Sequence, residues 1–331
     1  MEVIDKEMKV TPLLSISIPT WNRAKYLAIS LESFLDQMKG INPEEIELFV
    51  SDNCSDDNTA EVVKSYIDKG LPITYNRNDE NIGASRNFLR CMQRASGKYI
   101  LLLGDDDVLT PGALKFILDV IRDKDYGLIH IHKYDDIKED VIEYDNVDSF
   151  LKRVSFWLTF VSGSIFRKDI VNKMTPEKYQ DTHLLQMPYF IKSARIGDKN
   201  LLVNSSLLRT GLDGRSNGGY NFYEVFVQNY LSIWQDFKNQ DKLRKETYRY
   251  IKKDIYVKFI QGYNIKLLAH GEGIKKKKKD LEGQRGGFMI DDAWKILFHN
   301  YGNESYFYRS LLSIANCHFR YVLYKLLNKQ A

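Results

Sequence analysis

Three consecutive aspartates, Asp105, Asp106 and Asp107, follow the apolar run Tyr99-Ile100-Leu101-Leu102-Leu103 and Gly104. A short apolar run of this kind reads as a buried strand, so the carboxylates stand together at a strand end. Like charges that close repel, and each loses hydration beside the protein. A positive charge must compensate them. A hard divalent cation would do so, because carboxylate oxygens are its preferred ligands and it can hold a diphosphate in turn. The plainer reading is a solvated helix N-cap ahead of Pro111-Gly112, where acidic groups are also favoured.

The elements that must position these residues alternate in type. Residues 13–19 (LLSISIP) read as a strand stopped by Pro19. Leu27, Leu31, Phe34, Leu35 and Met38 give helical spacing over 24–39. Residues 46–50 (IELFV) are a second strand, and Asp57-Asn58-Thr59 reads as the start of a helix carrying Val62, Val63 and Ile67. Residues 71–75 are a third strand, 83–96 a helix closed by Gly97, 98–103 the fourth strand, and a further helix ends at Arg122. Strands alternating with helices imply a mainly parallel sheet covered on both faces. Beyond about residue 130 the pattern is less regular, with strands expected over 127–132 and 160–166 and a helix from Lys168. From Tyr220 onward the chain reads as mostly helical, interrupted over about 269–288 by a stretch holding Lys275 to Lys279.

In open α/β sheets, ligands bind at the carboxyl ends of the parallel strands. Three such ends carry polar groups: Thr20-Trp21-Asn22-Arg23, Asp52-Asn53 and Asp105 to Asp107. Together they outline a crevice.

Four segments, taken in order, resemble the family 2 glycosyltransferases, which have the GT-A fold. They are Ser15 to Arg23 (SISIPTWNR), Val50 to Thr59 (VSDNCSDDNT), Asn81 to Asn87 (NIGASRN) and Gly97 to Asp107 (GKYILLLGDDD). The match covers about residues 13–122 and is closest to bacterial surface-polysaccharide transferases of the abequosyltransferase-like group. It implies a nucleotide pocket lined by Pro19, Thr20 and Asn22, with Asp52 accepting a hydrogen bond from the base. Gly83 would allow close backbone approach, and Arg86 would face the nucleotide or its phosphates. Many relatives carry an aspartate where this chain has Gly104. Aligned that way, Asp106 is the main ligand of a divalent metal, Mn2+ or Mg2+, with Asp105 toward the ribose or sugar and Asp107 in support. Read as Asp-x-Asp, the ends are Asp105 and Asp107 instead.

The resemblance also implies inverting transfer from a nucleotide-sugar donor to a glycan acceptor, on a polyprenyl diphosphate where the acceptor is lipid-linked. Such transfer needs a base for the acceptor hydroxyl. Beyond the strand at 160–166, Asp181 is the acid that matches the family's base position, with an ordinary N-cap as its structural alternative and His183 as a lesser candidate. The Gly-rich stretch 209–220, with Arg209 and Arg215, reads as a loop able to close over a diphosphate, with Arg215 as the phosphate contact.

Two regions are expected: a catalytic domain over 1–220, with a nucleotide-sugar half at 13–122 and an acceptor half at 123–220, and a helical, basic and aromatic region over 221–331. In the latter, Tyr306, Phe307, Tyr308, Leu311, Leu312 and Phe319 sit among Arg309, Arg320, Lys325 and Lys329. That mixture suits an interfacial helix on an anionic membrane, a packed helix or an oligomer interface.

With 48 basic against 44 acidic residues the net charge is +4, which does not point to a nucleic-acid binder. Cys54, Cys91 and Cys317 are far apart and form no metal or disulfide pattern. With neither a signal peptide nor an apolar run of about 20 residues, a cytoplasmic protein, working at the inner face of the membrane, is expected. Two other readings are a sugar nucleotidyltransferase and a non-catalytic nucleotide- or glycan-binding scaffold. The first would need a Gly-rich basic phosphate loop after the first strand, and Pro19 to Asn22 is no such loop. Turnover separates the second.

Overall fold

A computed structural model describes residues 11–210, 219–240, 242–265, 291–313 and 315. The chain divides into two compact units. The first comprises residues up to Phe150 together with Leu158–Gln180 and Leu185–Leu212; the second comprises Leu151–Trp157, Asp181–Leu184 and the residues from Asp213 onward.

The first unit is built on an eight-stranded mixed sheet. Its strands are β1 (Leu14–Thr20), β2 (Ile46–Asp52), β3 (Ile73–Arg77), β4 (Tyr99–Leu102), β6 (Leu128–Ile131), β7 (Val141–Tyr144), β8 (Ser164–Arg167) and β9 (Asn200–Val203). Their order across the sheet is β3-β2-β1-β4-β8-β6-β9-β7. The pairs β1–β2, β2–β3 and β1–β4 are parallel, β8 runs antiparallel to both β4 and β6, and β6–β9 is parallel again. A separate two-stranded ladder joins β5 (Val108–Leu109) to β10 (Leu208–Arg209).

The β1 sequence LSISIPT explains its central place. Leu14, Ile16 and Ile18 enter a core with Leu27, Leu31 and Phe34 of α1 (Ala24–Gln37), Val63 of α2 (Thr59–Asp68) and Leu114, Ile117 and Leu118 of α4 (Ala113–Arg122). The alternating Ser15 and Ser17 are small, and α3 (Ala84–Arg94) packs across β1, β2 and β4. α6 (Gln186–Ile196) covers β8 and β6. Burying some 25 cal/mol per Å² of apolar surface on both faces is what holds such a sheet.

The expected elements of the first 122 residues are all present, with ends shifted by up to two residues. Later residues depart from expectation. No α-helix starts at Lys168: residues Lys168–Lys173 form a 3₁₀ turn, and two more such turns, Pro176–Lys178 and Gln180–Thr182, precede α6. The β-branched Ile170, Val171 and Thr175 and the ring of Pro176 disfavour a regular helix there. The strand expected over 160–166 is shorter, Ser164–Arg167, with a turn at Val161–Gly163 before it. β7, β9 and α5 (Val147–Val154) had no clear sequence signal.

The second unit contains α7 (Tyr230–Asn239), α8 (Lys245–Ile255), α9 (Gln261–Tyr263) and α10 (Ala293–Tyr301), with π-helical turns at Glu224–Asn229 and Tyr256–Ile260. Aromatic side chains form its core: Phe222, Tyr223, Tyr230, Trp234, Tyr256, Tyr301 and Phe307 are fully buried. Phe307 is therefore a packing residue, whereas Tyr308 and Leu312 are exposed. The lysine run and Phe319, Arg320, Lys325 and Lys329 lie outside the described residues.

Candidate active site

The parallel register sets the strand ends level. Thr20 pairs with Asp52, and Asp52 with Arg77, at the carboxyl edge of the sheet. β4 ends beside them, and its continuation is the acidic turn.

That turn is folded tightly on itself. The Asp107 N–H donates to the Gly104 carbonyl at 3.0 Å. A Cβ at residue 104 would lie 2.9 Å from Asp107 Oδ2 and 3.4 Å from Asp106 Oδ1. The carboxylates of Asp106 and Asp107 thus fold back over the bare Cα of Gly104, which accounts for glycine at this position. All three aspartates are buried, at 3%, 8% and 5% exposure. They do not form a solvated cap.

The positive charge demanded by the triplet comes from Arg23, one residue before α1. Its guanidinium forks, Nη1 donating to Asp105 Oδ1 at 2.7 Å and Nη2 to Asp106 Oδ2 at 2.8 Å. A planar guanidinium can span two carboxylates in this way, where an ammonium acts as a point charge. Thr20 Oγ1 donates to the other Asp105 oxygen at 2.7 Å. Even so, burial pushes the Asp105 carboxyl up to about 7, against the lowering by Arg23 and Thr20. Asp107 is held from the far side: Ser162 Oγ donates to its Oδ2 at 2.5 Å and accepts the Gly104 N–H at 2.9 Å.

Asp52 is 1% exposed. Its Oδ1 accepts the Ser55 N–H at 2.9 Å, and its Oδ2 accepts the Tyr75 hydroxyl at 2.6 Å, with Arg77 Nε at 3.8 Å. Burial, and then the Asp52 carboxylate, raise the Tyr75 phenol well above its ordinary range. Asn22 adopts φ 52°, and its side-chain carbonyl accepts the Asp56 N–H at 2.7 Å, so it fastens the β1 loop to the β2 loop. Pro19 is buried in β1 opposite Ser51. Asp57 caps two helices, accepting from Ala24 N at 3.0 Å and from Thr59 N at 3.2 Å.

An asparagine network sets the start of α3. Asn53 Oδ1 accepts from Asn78 Nδ2 and from the Ile82 N–H, both at 3.0 Å, while Asn87 binds Ser51 by two hydrogen bonds. Gly83 caps α3 at φ 82°, ψ 157°, a conformation open to glycine and strained for other residues. Arg86, in the first turn of α3, is exposed, and its side chain makes no hydrogen bond or ion pair among the described residues.

Thr20, Asp52, Gly83, Arg86 and the triplet therefore belong to one edge of the first unit. Asp181 lies in the second unit, exposed in the Gln180–Thr182 turn. His183, also in that unit, has φ 58° and stacks on Tyr220 at 5.3 Å. Arg215 lies outside the described residues. Directly after the triplet, Val108, Leu109, Pro111 and Arg209 line a pocket of about 340 Å³ with Ser33, Asp36 and Gln37 of α1.

Among the described residues no group of three or more acidic, His or Cys side chains is placed to hold a metal by itself. A Mg2+ or Mn2+ shared with phosphates needs only one or two carboxylates. Asp106, with one oxygen turned to Arg23 and the other over Gly104, fits that second kind of site.

Sequence reasoning missed Arg23 and Ser162 as members of this cluster. The signal for Arg23 was present: the triplet required a cation, and Arg23 follows the end of a neighbouring parallel strand. Ser162 gave none, because it meets Asp107 through an antiparallel insertion that the sequence pattern does not reveal.

This mixed sheet with a polar carboxyl edge is the GT-A glycosyltransferase fold. The S. aureus TarS fragment 1–349, solved with UDP, superposes with a TM-score of 0.58 at 17% identity, covering 80% of this chain and 76% of that one. A mannosyltransferase from Pyrobaculum calidifontis, solved with GDP-Man and Mn2+, gives 0.51 at 13% identity, covering 93% and 87%. The chain belongs to glycosyl transferase family 2, whose model matches residues 15–195, more than half of the chain. Among curated relatives, the abequosyltransferase RfbV of Salmonella typhimurium is 40% identical over 106 residues, covering 32% of this chain and 31% of that protein. The chain spans between about a third and two thirds of the length of the first curated relatives it matches. No helix among the described residues is long and apolar enough to cross a membrane.

Proposed function

We propose that this protein transfers a sugar from a nucleoside-diphosphate donor to a hydroxyl of a glycan acceptor in bacterial surface-polysaccharide assembly. The observation that carries this reading is the Arg23 fork on Asp105 and Asp106, placed at the same sheet edge as Asp52 and the start of α3. Buried carboxylates and a guanidinium at the ends of parallel strands suit a ligand that brings both negative charge and a cation.

In the proposed reaction the bond from the anomeric carbon to the diphosphate oxygen breaks as a bond from the acceptor oxygen forms. A base takes the acceptor proton, and the resemblance assigns that role to Asp181. A divalent cation, when bound, would serve as the Lewis acid that stabilises the departing diphosphate. Asp106 would hold it, with Asp105 fixed by Thr20 and Asp107 fixed by Ser162 on either side. Arg86, exposed at the start of α3, supplies a further positive charge toward phosphate. Asp52 has both oxygens engaged, so contact with a base uses a second lone pair or displaces Tyr75. Polyprenyl-diphosphate linkage of the acceptor, and contact with the inner face of the membrane, belong to the same proposal.

Thermal unfolding with UDP, CDP, GDP and dTDP, each with and without Mn2+, tests the donor site. A ligand of the folded state raises the melting temperature by mass action. Stabilisation by one nucleotide, dependent on the metal, is expected. No stabilisation by any of the four would favour a scaffold without donor binding.

A further inference from the structure

We infer that Arg23 is a built-in counter-ion that holds the cation's place until the donor arrives, and that it then moves onto the diphosphate. The inference rests on the donor-site reading above and adds a role for a residue that this reading leaves outside the reaction.

The geometry is specific. One guanidinium engages two different carboxylates at 2.7 and 2.8 Å, and its side chain is 19% exposed while theirs are 4% and 11% exposed. Asp106 Oδ2, an oxygen a phosphate-shared cation would use, is therefore already occupied by a positive charge. A cation on either oxygen of Asp106 would stand within a few ångströms of the guanidinium, and like charges that close in a poorly solvated site repel strongly. Entry of the cation is therefore opposed for as long as Arg23 stays on Asp106.

Where Arg23 goes depends on what arrives. With the cation alone, the guanidinium loses a charge-assisted bond, and no phosphate is there to replace it. With a nucleoside diphosphate beside the cation, two phosphate groups offer the planar fork a bidentate partner. Arg23 sits at the junction of β1 and α1, where Asp57 holds the Ala24 N–H. Its backbone is thus fixed, and the move is a change of side-chain rotamer. Arg23 accordingly opposes metal binding to the empty protein and supports it once the nucleotide is present. Metal and nucleotide then bind with positive coupling, and linkage makes that coupling reciprocal.

The test is direct titration of Mn2+, read by loss of the free-ion EPR signal, on the wild-type protein and on Arg23→Gln and Arg23→Lys. Each is titrated alone and with UDP, CDP, GDP or dTDP in turn. Arg23→Gln is expected to bind Mn2+ without nucleotide about tenfold more tightly than wild type, and to gain correspondingly less from the nucleotide, within the usual range of coupling factors. Arg23→Lys, with one point charge, should fall between. Circular dichroism checks that each variant is folded, and Arg23→Lys keeps the test valid should Arg23→Gln fail to fold. If all three proteins bind Mn2+ equally without nucleotide, while a nucleotide still strengthens binding to wild type, the place-holding role is overturned and the donor site stands. If no nucleotide strengthens Mn2+ binding in any of them, both are overturned.

Discussion

The Ser162 hydroxyl donates to Asp107 Oδ2 at 2.5 Å and accepts the Gly104 N–H at 2.9 Å, so a single side chain ties the turn before β8 to the acidic turn after β4. Ser162 is fully buried, and its bond to Asp107 is buried with it. Ser162→Ala would remove the acceptor of the Gly104 N–H and one donor to Asp107 Oδ2. Unsatisfied buried groups cost about 1–3 kcal/mol. Urea denaturation of the variant should show a loss in that range, and nucleotide-dependent stabilisation should fall with it. Unchanged stability would mean that water replaces the hydroxyl at no cost.

The parallel half of the sheet was legible because its strands are covered on both faces and its helices are strongly periodic. Leu14, Ile16 and Ile18 on one face, and Ser15 and Ser17 on the other, can be read directly as a central strand. The triplet was legible as a cluster needing a cation, but not as a cluster already holding one. Arg23 meets Asp105 and Asp106 across more than eighty residues of chain, and only the β1–β4 pairing brings them together. Asp52 was legible as a strand-end acid. Its enclosure by Tyr75 and Ser55 was not, because hydrogen-bond partners across strands leave no local pattern. After residue 130 the elements are short, and the 3₁₀ turns from Lys168 to Thr182 have no period long enough to recognise.

Gly83 has φ 82° and ψ 157°, with nothing within 4 Å of where a Cβ would stand. A side chain there has room, and the obstacle is the backbone conformation alone. Gly83→Ala should cost roughly 1–3 kcal/mol through that strain. If α3 instead shifts to relieve it, Arg86 moves as well, and nucleotide affinity falls while stability is kept. Comparing denaturation with nucleotide titration separates the two effects. A variant normal in both would show that this glycine is dispensable.

Asp106→Ala leaves Arg23 paired with Asp105, so no buried charge is stranded and the fold should persist. On the proposed reading, a Lewis acid worth several kcal/mol of transition-state stabilisation would lose its principal protein ligand. Turnover should drop by at least about a hundredfold, each 1.4 kcal/mol being a factor of ten. The melting temperature without ligands should stay close to that of wild type. Retained turnover would remove Asp106 from the reaction.

Asp181→Asn keeps the size of the side chain and removes its capacity to take a proton. Donor binding should be unaffected, so stabilisation by nucleotide with Mn2+ should match wild type while transfer to acceptor is lost. Loss of nucleotide affinity would place Asp181 in donor recognition instead. Normal transfer would leave the base to be sought among other residues.

Burial raises the Asp105 carboxyl to about 7, against 3.8 for the ordinary group. The folded protein therefore holds this proton over a range of pH where the unfolded chain has released it. Stability rises with pH where the unfolded state binds more protons, and here the folded state binds more. The contribution of Asp105 must therefore fall as pH rises from about 4 to about 7, then level off. This is opposite in sign to a carboxylate whose folded value is lowered. Asp105→Asn cannot ionise, and its amide can still accept from Arg23 or pair with Thr20. Its melting temperature relative to wild type, without nucleotide or metal, should therefore improve from pH 5 to about pH 7 and then level off. A difference that stays constant across that range would mean that Arg23 keeps Asp105 ionised throughout.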